Sequence, residues 1–165
     1  MLFANSNIDT REEFEKRKAE AERLAEIDGV GFSALEYNHE EWLREVAAGY
    51  EDAPEKGARC ERCFRYNLAK TAAFAAENGM DGFTTSLTVS PHKVSKVIFG
   101  AAPQPTSFGS RQPAFLPYDF KKKEGFKLSV RRASELGLYR QAYCGCEFSK
   151  MKRQQVNQEG SGNEK

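Results

Sequence analysis

Four cysteines carry the most specific chemistry in this chain. Cys60 and Cys63 form a C-x-x-C inside Arg59-Cys60-Glu61-Arg62-Cys63-Phe64-Arg65, and Cys144 and Cys146 form a C-x-C about eighty residues later. Two tight pairs with none left over read as one site. Such a set can hold a tetrahedral zinc, an iron–sulfur cluster or a redox-active dithiol. A zinc ribbon usually keeps both pairs within a few tens of residues. Here they stand further apart, and spacing alone leaves zinc and iron–sulfur open. Phe64, Leu68, Ala72, Ala75 and Ala76 recur at helical spacing after the first pair, so Cys60 and Cys63 fall at a helix start, where the dipole favours thiolate.

Three further groups can act on a substrate. Ser90-Pro91-His92-Lys93 follows a β-rich run and opens a helix, a turn that points N–H groups at an anion. Lys93 adds charge there and His92 is a candidate proton donor, whereas His39, beside Glu40 and Glu41, reads as exposed. Asp119 precedes Lys121, Lys122 and Lys123, a carboxylate fit for a metal or for acid chemistry beside lysines fit for a phosphate backbone. Tyr139, Arg140 and Tyr143 surround the C-x-C; each tyrosine alone is ordinary packing, but together with Arg140 they can stack bases and grip phosphate. Gly145 lets the backbone bend between Cys144 and Cys146.

The elements that position these residues follow from periodicity and caps. Leu2-Phe3-Ala4 reads as the end of a strand, and 9–28 as a helix capped by Asp9 or Thr10 and stopped by Gly29. A strand is expected over 32–37, then a short helix from Asn38 to Gly49, a loop over 50–58 and the cysteine helix over 61–77. Residues 83–89 are β-rich, Ser90-Pro91 signals a helix through Ile98, and 100–114 is a Pro/Gly loop. A short strand over 114–118 and an amphipathic helix over 126–136 complete one domain of residues 1–150, and 151–165 reads as a polar, disordered tail. Alternating helices and short apolar strands argue an α/β layered fold with a largely parallel sheet.

The chain has 165 residues, 39% hydrophobic and 30% charged, which suits a globular domain. It has no apolar run long enough for a membrane span and no signal-peptide pattern, which reads as a cytoplasmic protein. In that reducing compartment paired cysteines are metal or redox ligands rather than structural disulfides. Net charge is +1 but uneven: residues 1–57 hold seven Lys/Arg against fifteen Asp/Glu, and 119–153 hold ten against four. The basic segment suits a polyanion, though a solvated helix face has the same composition.

R-C-x-R-C-F-R, T-T-S-L-x-V-S-P-H-K, Y-D-F-K-K-K-E-G-F and S-x-x-L-G-L-Y-R-Q-x-Y-C-G-C-x-F-S, in this order from about Phe3 to Ser149, resemble the cobalamin-independent epoxyqueuosine reductases. The resemblance implies a Rossmann-like three-layer fold and an iron–sulfur enzyme of queuosine biosynthesis. It would remove the epoxide oxygen of epoxyqueuosine at the tRNA wobble position. It also implies that Cys60, Cys63, Cys144 and Cys146 match the family's cysteine motifs and Asp119 its acidic position. Family members begin with a strand ending in a Cys-Cys pair, then a helix and the strand leading into the counterpart of Asn5-Ser6-Asn7. This sequence lacks that segment, so the expected fold is N-terminally truncated.

The expected site follows. The four cysteines hold a 4Fe–4S cluster, with Asp119 beside it and room for an additional iron. His92, Tyr143 or Lys93 donates protons. Lys93, Lys121, Lys122, Lys123, Arg131, Arg132, Tyr139 and Arg140 hold a tRNA with a queuosine-type anticodon. An external electron donor is required, and no membrane. Two other readings stand beside it: a non-catalytic, zinc-stabilised RNA-binding module, and a thiol–disulfide oxidoreductase using Cys60 and Cys63 alone.

Overall fold

The computed structural model describes residues 1–103 and 112–152, which fall into two compact units. The first comprises Met1–Glu55 with the described residues from Tyr139 on, and the second Lys56–Leu138.

In the first unit, β1 (Leu2–Phe3) pairs in parallel with β2 (Ser33–Ala34), Leu2 opposite Ser33 and Phe3 opposite Ala34. The crossover is α1 (Arg11–Ile27), so the three form a βαβ unit. Thr10 caps α1 by accepting the Glu13 N–H at 3.2 Å, and Glu12 and Glu13 suit the positive end of its dipole. Gly29, at φ +64°, ends it. One face of α1 lays Phe14 against Phe3 and Ile8, with Phe3 and Phe14 in edge contact at 5.2 Å between centroids. Burying each such ring contributes about 2–3 kcal/mol. Helix α2 (His39–Trp42), capped by Asn38, runs into one π-helical turn over Leu43–Ala47. Residues 147–152 are also helical.

The second unit repeats the plan. Helix α3 (Ala58–Glu77) leads to β3 (Gly82–Phe83), a 3₁₀ turn (Ser86–Val89), α4 (Ser95–Ala101), β4 (Ala114–Phe115) and α5 (Gly125–Glu135). β3 and β4 pair in parallel, Gly82 opposite Ala114 and Phe83 opposite Phe115. Leu68 and Ala75 of α3, Phe83, and Ile98 and Ala101 of α4 form the core.

The expectation of mixed α/β structure with short parallel strands holds. The strands are short and pair as two two-stranded parallel sheets. Threonine side chains explain part of this, since they bond backbone groups that a longer ladder would use. The strand expected over 83–89 stops at Phe83; Thr85 Oγ1 then accepts the Leu87 N–H at 3.2 Å and a 3₁₀ turn follows. The helix expected at Ser90 begins at Ser95 instead, because Ser90 Oγ closes a turn onto the His92 N–H at 3.3 Å. The strand expected over 32–37 is cut to Ser33–Ala34, since β1 offers only two residues to pair with. Helices 9–28, 61–77 and 126–136 fall where expected to within about three residues. The centre of the 100–114 loop and most of the 151–165 tail lie outside the described residues.

Candidate functional site

The C-x-x-C sits on the first two turns of α3. Lys56, at φ +71°, turns the chain into Gly57, and the helix starts at Ala58, which puts Cys60 and Cys63 one turn apart on one face. Both sulfurs accept N–H bonds: Cys60 Sγ from the Lys56 amide at 3.3 Å, and Cys63 Sγ from Asn67 Nδ2 at 3.4 Å. Of the three nearby arginines, Arg59 is buried and Arg65 pairs with Glu61 at 2.6 Å.

Further along the same unit, Asp119 lies in a turn fastened from below. Buried Thr88 donates from Oγ1 to the Tyr118 carbonyl at 3.0 Å and accepts the Phe120 N–H at 3.2 Å. Partial desolvation works to raise the Asp119 pKa. Hydrogen bonds from Ser95 and the Lys121 amide, and the charges of Lys121 and Lys122, outweigh it and hold the carboxyl below its ordinary value. Lys121 turns inward, with Nζ 2.8 Å from the Lys93 carbonyl and 2.6 Å from Ser95 Oγ. Its ammonium is thus spent on internal acceptors rather than offered to a phosphate. Lys122, Lys123, Arg131 and Arg132 are exposed, as is His92.

In the first unit, the C-x-C loop packs on the β1–α1 loop and the start of α1. The Asp9 N–H donates to the Gly145 carbonyl at 2.9 Å. Arg17, fixed to Glu13 at 2.7 Å, donates to the carbonyls of Cys144 at 3.1 Å and Tyr143 at 3.4 Å. Gly145 sits at φ +145°, and a Cβ there would lie 2.6 Å from Asn7 Nδ2, so only glycine fits. Tyr143 donates to Asp9 Oδ1 at 2.5 Å and Lys150 Nζ to Asp9 Oδ2 at 2.9 Å. Burial alone would raise the Asp9 pKa; the bonds from Tyr143 and Lys150 and the Lys150 charge outweigh it and lower it. Burial and the Asp9 bond push the Tyr143 phenol well above its ordinary value. Tyr139 donates to Glu13 at 3.0 Å and carries Lys16 over its ring at 3.7 Å, which occupies one stacking face. Arg140 is exposed.

His39 corrects the expectation that it is exposed: it is 9% exposed, stacked on Trp42, with Nδ1 3.0 Å from the Ser6 carbonyl and Nε2 3.2 Å from Glu147 Oε1. The neighbouring Glu40 and Glu41 suggested solvent, but periodicity within a short helix cannot tell which residue turns inward. Arg17 and Thr88, and the bonds that Asp9 receives from Tyr143 and Lys150, also escaped the sequence reading. Their tertiary partners lie 30 or more residues away, beyond any local signal.

Cys60, Cys63 and Cys146 are half-buried and Cys144 is exposed. Cys60, Cys63 and Asp119 belong to one unit and Cys144 and Cys146 to the other. Among the described residues no three His, Cys, Asp or Glu side chains are grouped as a metal site. Thiols in chelating pairs, two of them receiving N–H bonds, are nevertheless the donor chemistry that iron–sulfur clusters use. Among the described residues no helix is long and apolar enough to cross a membrane.

Each of the two compact units holds a pair of parallel strands joined through a helix and one closely spaced cysteine pair, which defines an α/β protein with its four cysteines in two pairs. A family model described as epoxyqueuosine reductase QueH matches residues 1–152, and the chain belongs to this family. Among its relatives is an epoxyqueuosine reductase QueH of Streptococcus pyogenes serotype M1, 39% identical over 90% of this chain and 60% of its own length. One from Thermotoga maritima is 34% identical over 96% of this chain and 82% of its own, and one from Staphylococcus epidermidis 30% identical over 93% and 66%. The chain therefore spans about three fifths of the length of the Streptococcus relative.

Proposed function

We propose that this chain reduces epoxyqueuosine to queuosine at the wobble position of tRNA. The observation that carries the proposal is family membership across residues 1–152, a span that includes both cysteine pairs and Asp119. Cys60, Cys63, Cys144 and Cys146 would hold a 4Fe–4S cluster, and Asp119 would serve an additional iron. Converting an epoxide to an alkene takes two electrons and two protons and releases water. A cluster, when bound, supplies the electrons singly from an external donor.

The chain's own residues do the rest. Asp119, kept ionised by Ser95 and Lys121, offers a carboxylate at neutral pH. Tyr143 shares its proton with Asp9, so the proton-donor role goes to exposed His92, with Lys93 beside it. The N–H bonds on Cys60 and Cys63 tune thiolate ligands. A three-layer Rossmann-like fold belongs to the same proposal, supported by the two βαβ units.

Anaerobic purification followed by iron, sulfide and absorption measurements tests this reading. Iron with labile sulfide and a band near roughly 400 nm is expected, with loss of both in Cys60→Ser and Cys146→Ser. Asp119→Ala should abolish reduction of epoxyqueuosine-containing tRNA while sparing tRNA binding. Colourless protein holding only zinc, with RNA binding lost on chelation, would replace the proposal by the zinc-stabilised RNA-binding module.

A further inference from the structure

Before α5 the surface opens into a shallow cleft of about 500 Å³ whose lining includes Tyr118, Asp119, Phe120, Lys122, Lys123 and Leu128, with the Asp119 carboxylate turned to Ser95 and Lys121. Tyr118 and Phe120 are 57% and 40% exposed, large apolar rings held in water. They flank Asp119 in the same turn, and their rings lie side by side. Their centroids stand 6.0 Å apart with planes tilted by 46°, which leaves ring faces uncovered. The exposure is built in rather than frayed. Thr88, wholly buried, clamps the backbone of both residues, and Gly125 packs so tightly beneath Phe120 that a Cβ there would lie 1.7 Å from the Phe120 carbonyl oxygen.

Charge says what fits. Lys121 is consumed by internal acceptors, but Lys122 and Lys123 are exposed and make no ion pair among the described residues. An aromatic platform rimmed by two exposed ammonium groups matches a flat, electron-rich ring on an anionic backbone. A purely apolar protein partner would leave both lysines desolvated without a counter-charge.

We infer that this cleft is a stacking subsite for an unpaired base of single-stranded RNA, with Tyr118 and Phe120 as its platform and Lys122 and Lys123 on the flanking phosphates. The inference rests on the RNA-directed reading above and locates where the strand is gripped. Stacking on a ring face is tolerant of base identity, so the subsite holds the strand in place without reading its sequence.

The test uses the full chain and an unmodified single-stranded RNA oligomer carrying 2-aminopurine, whose fluorescence is quenched when it stacks. Wild-type protein should quench it. The double variant Tyr118→Ala/Phe120→Ala should weaken binding about ten- to a hundredfold and abolish quenching, at an unchanged salt slope. Tyr118→Leu/Phe120→Leu, which keeps the apolar bulk, should lose the quench as well. Lys122→Gln/Lys123→Gln should keep the quench and shrink the log–log salt slope by about 1.4. Quenching and affinity unchanged in both aromatic variants would overturn the inference, as would equal affinity for a duplex of the same length. The oligomer contains no epoxide, so the two readings fail separately. Quenching by a protein that reduces nothing would sink the reductase alone, and turnover without quenching would sink the cleft alone.

Discussion

His39 faces oxygen on both sides, the Ser6 carbonyl at 3.0 Å and the Glu147 carboxylate at 3.2 Å. Neither can donate, so only the imidazolium satisfies both contacts. Burial by itself would lower the pKa; the Glu147 bond and charge and the Ser6 carbonyl outweigh it and raise it above 6.5. A raised folded-state value means this stabilisation is fully present below the unfolded value and is lost as pH rises through the folded one. Urea denaturation followed by the single tryptophan, Trp42, should give a lower midpoint at about pH 8 than at about pH 5.5. His39→Gln should flatten that difference. A midpoint in the wild type that rises from the lower pH to the higher would contradict the assignment. The cysteines, Asp119 and Gly145 were legible in the sequence because their residue types announce their chemistry. His39 was not, because its partners come from the β1–α1 loop and from residue 147, and one-dimensional spacing holds no record of them.

Long periodic stretches such as α1, capped by Thr10 and ended by Gly29, and α3, ended by Asn78 and Gly79, could be read closely from the sequence, since each such signal acts within one turn. The stretches between them could not. There threonine and serine hydroxyls compete with the ladder for the same backbone groups, and the winner depends on what packs beneath. The turn from Tyr118 to α5 shows the consequence. Lys123 and Glu124 both hold left-handed backbone, at φ 54° and 60°, and Gly125 follows under the Phe120 carbonyl. A Cβ 1.7 Å from a backbone oxygen cannot be relieved by a rotamer change, so the turn itself must move. Gly125→Ala should cost about 1–3 kcal/mol, the usual penalty for overpacking, and should lift Phe120 off Thr88. Thermal melts measure the first effect, and faster amide exchange at Phe120 the second. A variant with wild-type melting and unaltered Phe120 exchange would mean that Gly125 is not holding the turn.

Across the whole molecule, charge is nearly balanced, yet RNA responds to local field rather than to the sum. The ten Lys/Arg of residues 119–153 include Lys122, Lys123, Arg131 and Arg132, all exposed. The surface pair of Arg131 with Glu135, at 3.6 Å, is worth too little to withhold Arg131 from a phosphate. Neutralising about four phosphates of a single strand gives a log–log salt slope near −2.8. Affinity for an anticodon stem–loop should then fall roughly fiftyfold between about 50 and 200 mM monovalent salt. The same titration separates the two kinds of contact argued for this surface. Lysine and arginine contacts weaken steeply with salt, whereas stacking on Tyr118 and Phe120 persists. Quenching of a saturating 2-aminopurine strand should therefore survive at high salt after most of the affinity has gone. A slope shallower than about −1 would place the RNA on some other, uncharged face and remove the basic segment from the binding account.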